Sequence, residues 1–201
     1  MKNILLSAIA MAFVLVSCNQ KNKETETIKK ETVKNQEDTK STDTVATEIT
    51  DNVAPVSPSD YANDIVICYL NLKNKLAKDD SNSAAEKGKM LLASFNRFDT
   101  KSLTAKQKKE YLDIADDAKE HAEHIGANGG NIPHQREHFV LLSKDINDLI
   151  KMFGSNRKLY QDYCPMADEG KGAIWISETK EIKNPYQGSK MLTCGSVKKT
   201  Y

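Results

Sequence analysis

Between Ser57 and Gly154, four stretches place apolar residues at helical spacing, and each opens near a residue that favours the start of a helix. No other feature of the chain constrains its fold as strongly. Ser57-Pro58-Ser59-Asp60 reads as a cap, a proline at the first helical position and an acid three residues after the cap. Ile65, Ile67, Cys68, Leu70, Leu72 and Leu76 follow, a run that reads as a buried helix although Asp64 to Leu70 alone has strand-like composition. Asp79-Asp80 ends it, and Ser81 is expected to cap a second helix carrying Ala84, Ala85, Met90, Leu91, Leu92 and Phe95. Thr104 with Gln107 forms a third capping pair, ahead of Tyr111, Ile114, Ala118, Ala122 and Ile125. Gly126 to Asn131 reads as a loop. Pro133 opens a fourth helix, whose stripe is Phe139, Leu142, Ile146, Leu149, Ile150 and Phe153, with Gly154 as its stop. Four such helices joined by short loops predict an all-α fold. The expected architecture is an antiparallel up-down four-helix bundle over residues 59–201. A C-terminal segment packs on it, irregular or with a short β-hairpin.

The remaining length is organised differently. Met1-Lys2-Asn3 is a short basic start, and Ile4 to Val16 is an apolar run of signal-peptide length that ends in Leu15-Val16-Ser17-Cys18. This resembles a bacterial lipobox. Residues 1–17 are therefore expected to be a lipoprotein signal peptide and Cys18 to be acylated, anchoring the chain to a membrane of the cell envelope. Residues 18–58 are rich in Lys, Glu, Thr and Asn and nearly lack large apolar side chains, the composition of a disordered tether. About forty residues of flexible coil span roughly 35 Å.

Composition narrows the function. A formal net charge of +1 over 201 residues gives no electrostatic case for nucleic acid. The sequence holds no phosphate-binding glycine loop and no HExxH motif, so catalysis is not expected.

Sulfur is concentrated in one place. Tyr163 to Gly195 holds two of the four cysteines, two of the six methionines and the only tryptophan. Ala173-Ile174-Trp175-Ile176-Ser177 has a strand-like composition, and Asn184-Pro185-Tyr186-Gln187-Gly188 reads as a turn. Pro165 biases Cys164 to extended backbone, so Cys164 and Met166 are expected on one side. Met191 and Cys194, three apart, would share a face over one helical turn. Two thiols and two thioethers are soft donors of the kind that select Cu(I) or Ag(I). The alternative is a disulfide. With Cys18 acylated and Cys68 in an apolar helical run, Cys164 and Cys194 are left in an oxidising compartment. Their bridge would contribute about 3–4 kcal/mol in the chain-entropy treatment. Trp175 and Tyr186 read as core.

All four histidines flank one loop: His121 and His124 before it, His134 and His138 after it. Antiparallel helices would bring them to one end of the bundle, where imidazoles suit Cu(II), Zn or Ni. With Phe139 taken as the inward direction, His138 falls at the edge of the stripe and His134 on the outer side. The solvated-surface reading therefore stands ahead of the ligand reading.

Several blocks carry a resemblance to a known family. They are Gln135-Arg136-Glu137-His138-Phe139, Leu159-Tyr160, Cys164-Pro165-Met166-Ala167, Gly172-Ala173-Ile174-Trp175, Glu181 to Tyr186 and Met191-Leu192-Thr193-Cys194-Gly195. From about Tyr61 onward the chain resembles an uncharacterised family of helical periplasmic domains in Bacteroidetes-type lipoproteins. The same domain is appended to membrane-fusion (adaptor) subunits of copper/silver efflux pumps. Tyr163-Cys164-Pro165-Met166 is also similar to the start of a short heavy-metal-binding motif in such pumps. That motif continues His-Pro, where this chain has Ala167-Asp168. The resemblance implies heavy-metal handling in the envelope, with efflux adaptors as partners. Two expectations stay open: a lipid-anchored copper- or silver-binding protein, and a structural or interaction module held by a Cys164–Cys194 disulfide.

Overall fold

A computed structural model of the chain describes residues 56–201. Cys18 and nearly all of the tether expected at 18–58 lie outside the described residues.

Four α-helices come first: α1 (Pro58–Leu76), α2 (Ser81–Asn96), α3 (Ala105–Ala127) and α4 (Ile132–Phe153). Their starts follow the cap chemistry. Ser57 and Asp60 form a reciprocal capping box on α1, and Thr104 and Gln107 do the same on α3. The second cap differs from expectation by one residue. Asp80, not Ser81, accepts from the Ser83 amide, which frees the Ser81 hydroxyl for a tertiary role. Asn131 caps α4 through the His134 amide, with Pro133 in the first turn, where its missing N–H costs nothing. Gly126, expected in a loop, instead belongs to the last turn of α3.

The helices bury their stripes in one core. It includes Ile65, Tyr69 and Leu72 from α1, Leu91 and Phe95 from α2, Ala115, Ala118 and Ala122 from α3, and Phe139, Leu142 and Ile146 from α4. Each large side chain taken fully out of water contributes roughly 1.5–3 kcal/mol. α1 packs on α2 and α4, and α3 packs on α2 and α4. The seam between α2 and α3 is tight. A Cβ on Gly88 would sit 2.9 Å from the Gly126 amide nitrogen, so only glycine permits this approach.

After Gly154 the chain forms a three-stranded antiparallel sheet, in the order β2-β1-β3, from β1 (Tyr160–Cys164), β2 (Ala173–Ser177) and β3 (Ser196–Thr200). The strand expected at Ala173–Ser177 is present, and β2 is the strand that packs on α4. Trp175 is fully buried there, edge-on to Tyr186. A buried hydroxyl network crosses the seam. Tyr69 Oη lies 2.8 Å from Ser143 Oγ and accepts from the Ile176 amide at 3.1 Å, while Tyr186 Oη donates to the Ile174 carbonyl and lies 3.2 Å from Ser143 Oγ. Every hydroxyl of the network has a partner, whereas the Trp175 indole Nε1 beside it has none among the described residues.

Two further clamps position the ends of the helices. Arg136 donates to the Pro185 carbonyl (2.7 Å), the Leu76 carbonyl (2.9 Å) and Asp79 (2.6 Å), joining α4, the end of α1 and the turn after β2. Fully buried Gln135 donates to the carbonyls of Ser81 (3.0 Å) and Ile125 (3.1 Å) and accepts from the Ser81 hydroxyl (2.7 Å). It ties the start of α2, the end of α3 and the start of α4 together. No described helix is long and apolar enough to cross a membrane.

Candidate metal centre

The Gln135 clamp lies under the four histidines. With the end of α3 and the start of α4 locked, their imidazoles meet. His124 and His138 stack with ring centroids 4.2 Å apart, and His134 stands edge-on to His138 at 4.6 Å. One ligand nitrogen from each of His124, His134 and His138 lies within 4.8 Å of the other two. His121 Nδ1 lies 3.3 Å from His138 Nδ1. Burial lowers the pKa of both His121 and His138, so each favours the neutral, ligand-competent form. For His138 the neighbouring imidazoles add to that effect. The rings converge while staying in reach of solvent: His124 is exposed and His121, His134 and His138 are half-buried.

His134, expected on the outer side of α4, keeps its side chain 32% exposed and meets the His124 ring of α3 at 6.0 Å between centroids. His134 is half-buried, since α3 supplies a second wall beside α4. A sequence signal was available. His134-Gln135-Arg136-Glu137-His138 has the H-x-x-E-H spacing of zinc-binding helices, in which two histidines at i and i+4 share a face. Glu137 Oε2 lies 3.2 Å from His134 Nδ1.

The sulfur donors are placed differently. Cys164, at the end of β1, is fully buried, and Cys194 is half-buried on the loop before β3. Their Sγ atoms stand 3.0 Å apart across a sequence separation of 30. Contact with the Cys164 thiol, with a smaller contribution from burial, raises the Cys194 pKa. Neighbouring residues hold Cys194 in place: Asn184 donates to its carbonyl at 2.6 Å, and Gly195, at φ 145°, packs so closely that a Cβ would meet Trp175 at 2.8 Å.

Met166 and Met191 are 56% and 44% exposed, against a fully buried Cys164. Cys164 and Met166 would share a side only if the strand continued. It ends at Cys164, and the Ala167 amide turns back to the Cys164 carbonyl at 3.4 Å. Met166 instead lines a groove with Pro133, Arg136, Glu137 and Val140. Met191 begins a tight turn whose carbonyl accepts the Cys194 amide at 3.0 Å. Cys68 is half-buried against the core, where burial raises its thiol pKa.

One buried group had no sequence signal. Asp162, in the middle of β1, is fully buried, and neither carboxylate oxygen has a hydrogen-bond partner among the described residues. Burial pushes its pKa up to about 6, with Lys73 opposing and Glu178 adding. Lys73 is committed elsewhere, 2.6 Å from Glu178.

The family described as "Protein of unknown function (DUF3347)" matches residues 65–158, which takes in most of α1 and all of α2, α3 and α4. No curated protein matches the chain, and no solved structure does.

Proposed function

We propose that the chain is a non-catalytic, lipid-anchored metal-binding protein of the cell envelope. In this reading Cys164 and Cys194 take up a soft ion, Cu(I) or Ag(I), with Met166 or Met191 as a third donor. The protein buffers that ion or hands it to a heavy-metal efflux adaptor. The helices are read as running up, down, up and down, because residues 77–80, 97–104 and 128–131 suffice to join them. The observation that supports metal uptake is the approach of two thiols from distant parts of the chain, one locked in a strand and one on a half-exposed loop.

The donors must move to bind. Two sulfurs held about 2.3 Å from a shared ion in a trigonal set of three stand about 4.0 Å apart, wider than the 3.0 Å seen here. The Cys194 backbone is pinned, so its half-exposed side chain would have to rotate outward, and an exposed methionine would swing in. Thiolates bind, so affinity falls with acid. The same 3.0 Å supports the second reading, a structural module closed by a Cys164–Cys194 disulfide. Competition titration of the reduced chain against a Cu(I) chelator separates the two. Metal binding predicts uptake that is lost in Cys164→Ser/Cys194→Ser and weakened in Met166→Leu/Met191→Leu. Equal, weak uptake by the wild type and the double-cysteine variant leaves the disulfide module.

A further inference from the structure

We infer that His124, His134 and His138 form a second metal site, independent of the cysteines, for a borderline divalent cation such as Zn(II), Ni(II) or Cu(II). Imidazole suits these ions better than it suits Mg(II) or Ca(II). His134 and His138 lie one helical turn apart on α4, and His124 faces them from the last turn of α3. Nitrogens about 2.05 Å from a tetrahedral ion stand about 3.3–3.4 Å apart. The three candidate atoms lie within 4.8 Å of one another, so small rotations of the rings close the site.

The surroundings argue for a built site. Both α4 histidines have Nδ1 engaged, His134 by Glu137 at 3.2 Å and His138 by His121 at 3.3 Å. When Nδ1 donates its proton in each case, Nε2 carries the free lone pair. A metal-binding histidine is commonly fixed in this way, by an outer partner that sets tautomer and ring direction. His121 and Glu137 are thus positioning residues, and His124, His134 and His138 are ligands. The backbone beneath is held by Gln135 and by the Gly88–Gly126 approach, so the rings need little ordering on binding. Three protein ligands leave a fourth position open for water or for an incoming donor, the arrangement that permits exchange rather than permanent storage.

The test uses the full chain with Zn(II) for calorimetry and Co(II) as the spectroscopic reporter. Binding is measured in the wild type and in a Cys164→Ala/Cys194→Ala background. One Zn(II) per chain is expected in that background. Affinity should fall more than tenfold in each of His124→Ala, His134→Ala and His138→Ala, while melting in chelator stays unchanged. His121→Ala is expected to lose about tenfold and His121→Gln, which keeps an acceptor, to recover part of it. Co(II) in the wild-type chain should give a tetrahedral visible spectrum that survives oxidation of the thiols. This readout stands even where the cysteine-free chain fails to fold. Unchanged affinity across the three ligand variants overturns the site. So does a Co(II) spectrum dominated by thiolate charge transfer that vanishes on oxidation, which would leave the sulfur site alone standing.

Discussion

The imidazole cluster and the thiol pair assemble their donors by opposite routes. The histidines sit on two consecutive helices joined through residues 128–131, so helical periodicity and one short loop bring them together. The thiols meet across 30 positions, through a strand, a buried tryptophan and a turn pinned by Asn184 and Gly195. The first arrangement depends on the bundle alone. The second depends on the sheet being seated on the bundle. Perturbing one region should therefore leave the other nearly untouched, except where the seam itself fails.

The largest effect is expected at that seam. Trp175 is fully buried, and truncation to alanine leaves a cavity the seam cannot fill. Trp175→Ala should cost about 3–5 kcal/mol in urea unfolding. Sheet and bundle share the Tyr69–Ser143–Tyr186 network, so one cooperative transition is expected, shifted as a whole. Two separated transitions, with only one displaced, would show that the sheet is an autonomous appendage.

Redox state sharpens the contrast. Cys194→Ser should destabilise oxidised protein by about 3–4 kcal/mol, the contribution of closing a loop of this length, and reduced protein far less. The Zn(II) affinity of the histidine cluster should be the same in both states. Equal stability of variant and wild type under oxidising conditions would mean that the thiols do not bridge.

How far each region was legible follows from the same contrast. Helix positions came from Ser57, Thr104, Pro133 and Gly154 because caps and stripes are local signals. Where the reading slipped, it slipped by one residue at Asp80 for Ser81 and by two at the end of α3, which runs through Gly126 to Ala127. The match over 65–158 is consistent with an uncharacterised helical domain family, and of the blocks that carry the resemblance it covers only Gln135 to Phe139. The sheet was legible only in β2. β3 is Ser-Val-Lys-Lys-Thr, mostly exposed, and it is a strand because backbone pairing with β1 makes it one. β1 hides its alternation behind Asp162, a carboxylate on the buried face. The histidines were visible by spacing, but their convergence needed the partner helix. Met166 was misdirected by a strand that ends two residues early.

Asp162 gives a test of the sheet that leaves the helices alone. Its pKa is pushed up to about 6 in the folded chain, above the ordinary value of 3.8. The folded state therefore binds the proton more tightly than the unfolded state. Below pH 3.8 the group is neutral in both and carries no penalty. As pH rises through that value toward about 6, ionisation favours the unfolded chain, and stability falls to a lower plateau. Asp162→Asn removes the charge and keeps the shape. It should stabilise the protein by roughly 1–3 kcal/mol at pH 8 and by little at pH 3. Asp79 has the opposite sign: hydrogen bonds from Ser189 and Arg136 lower its pKa to about 2, so its contribution is present above pH 3.8 and is lost as pH falls toward about 2. An Asp162→Asn gain that does not change with pH would mean that Asp162 titrates at its ordinary value in the folded chain and that burial does not raise its pKa.

The smallest expected effect probes whether bundle stability and the imidazole site are separable. Thr104 caps α3 at its start, and the histidines of α3 lie in its last two turns. Thr104→Ala removes the acceptor for the Gln107 amide and the partner of the Gln107 side chain, at a cost of about 1 kcal/mol. The damage is confined to the first turn, because capping hydrogen bonds reach only the nearest amides. The ring geometry of His121 and His124 is set at the other end of the helix, by Gln135 on the Ile125 carbonyl and by the Gly88–Gly126 contact. Melting should therefore shift by a few degrees while Zn(II) affinity stays within a factor of about two. A tenfold loss of affinity in Thr104→Ala would mean that the site is held by the whole length of α3, and that the histidine end is not an independent unit.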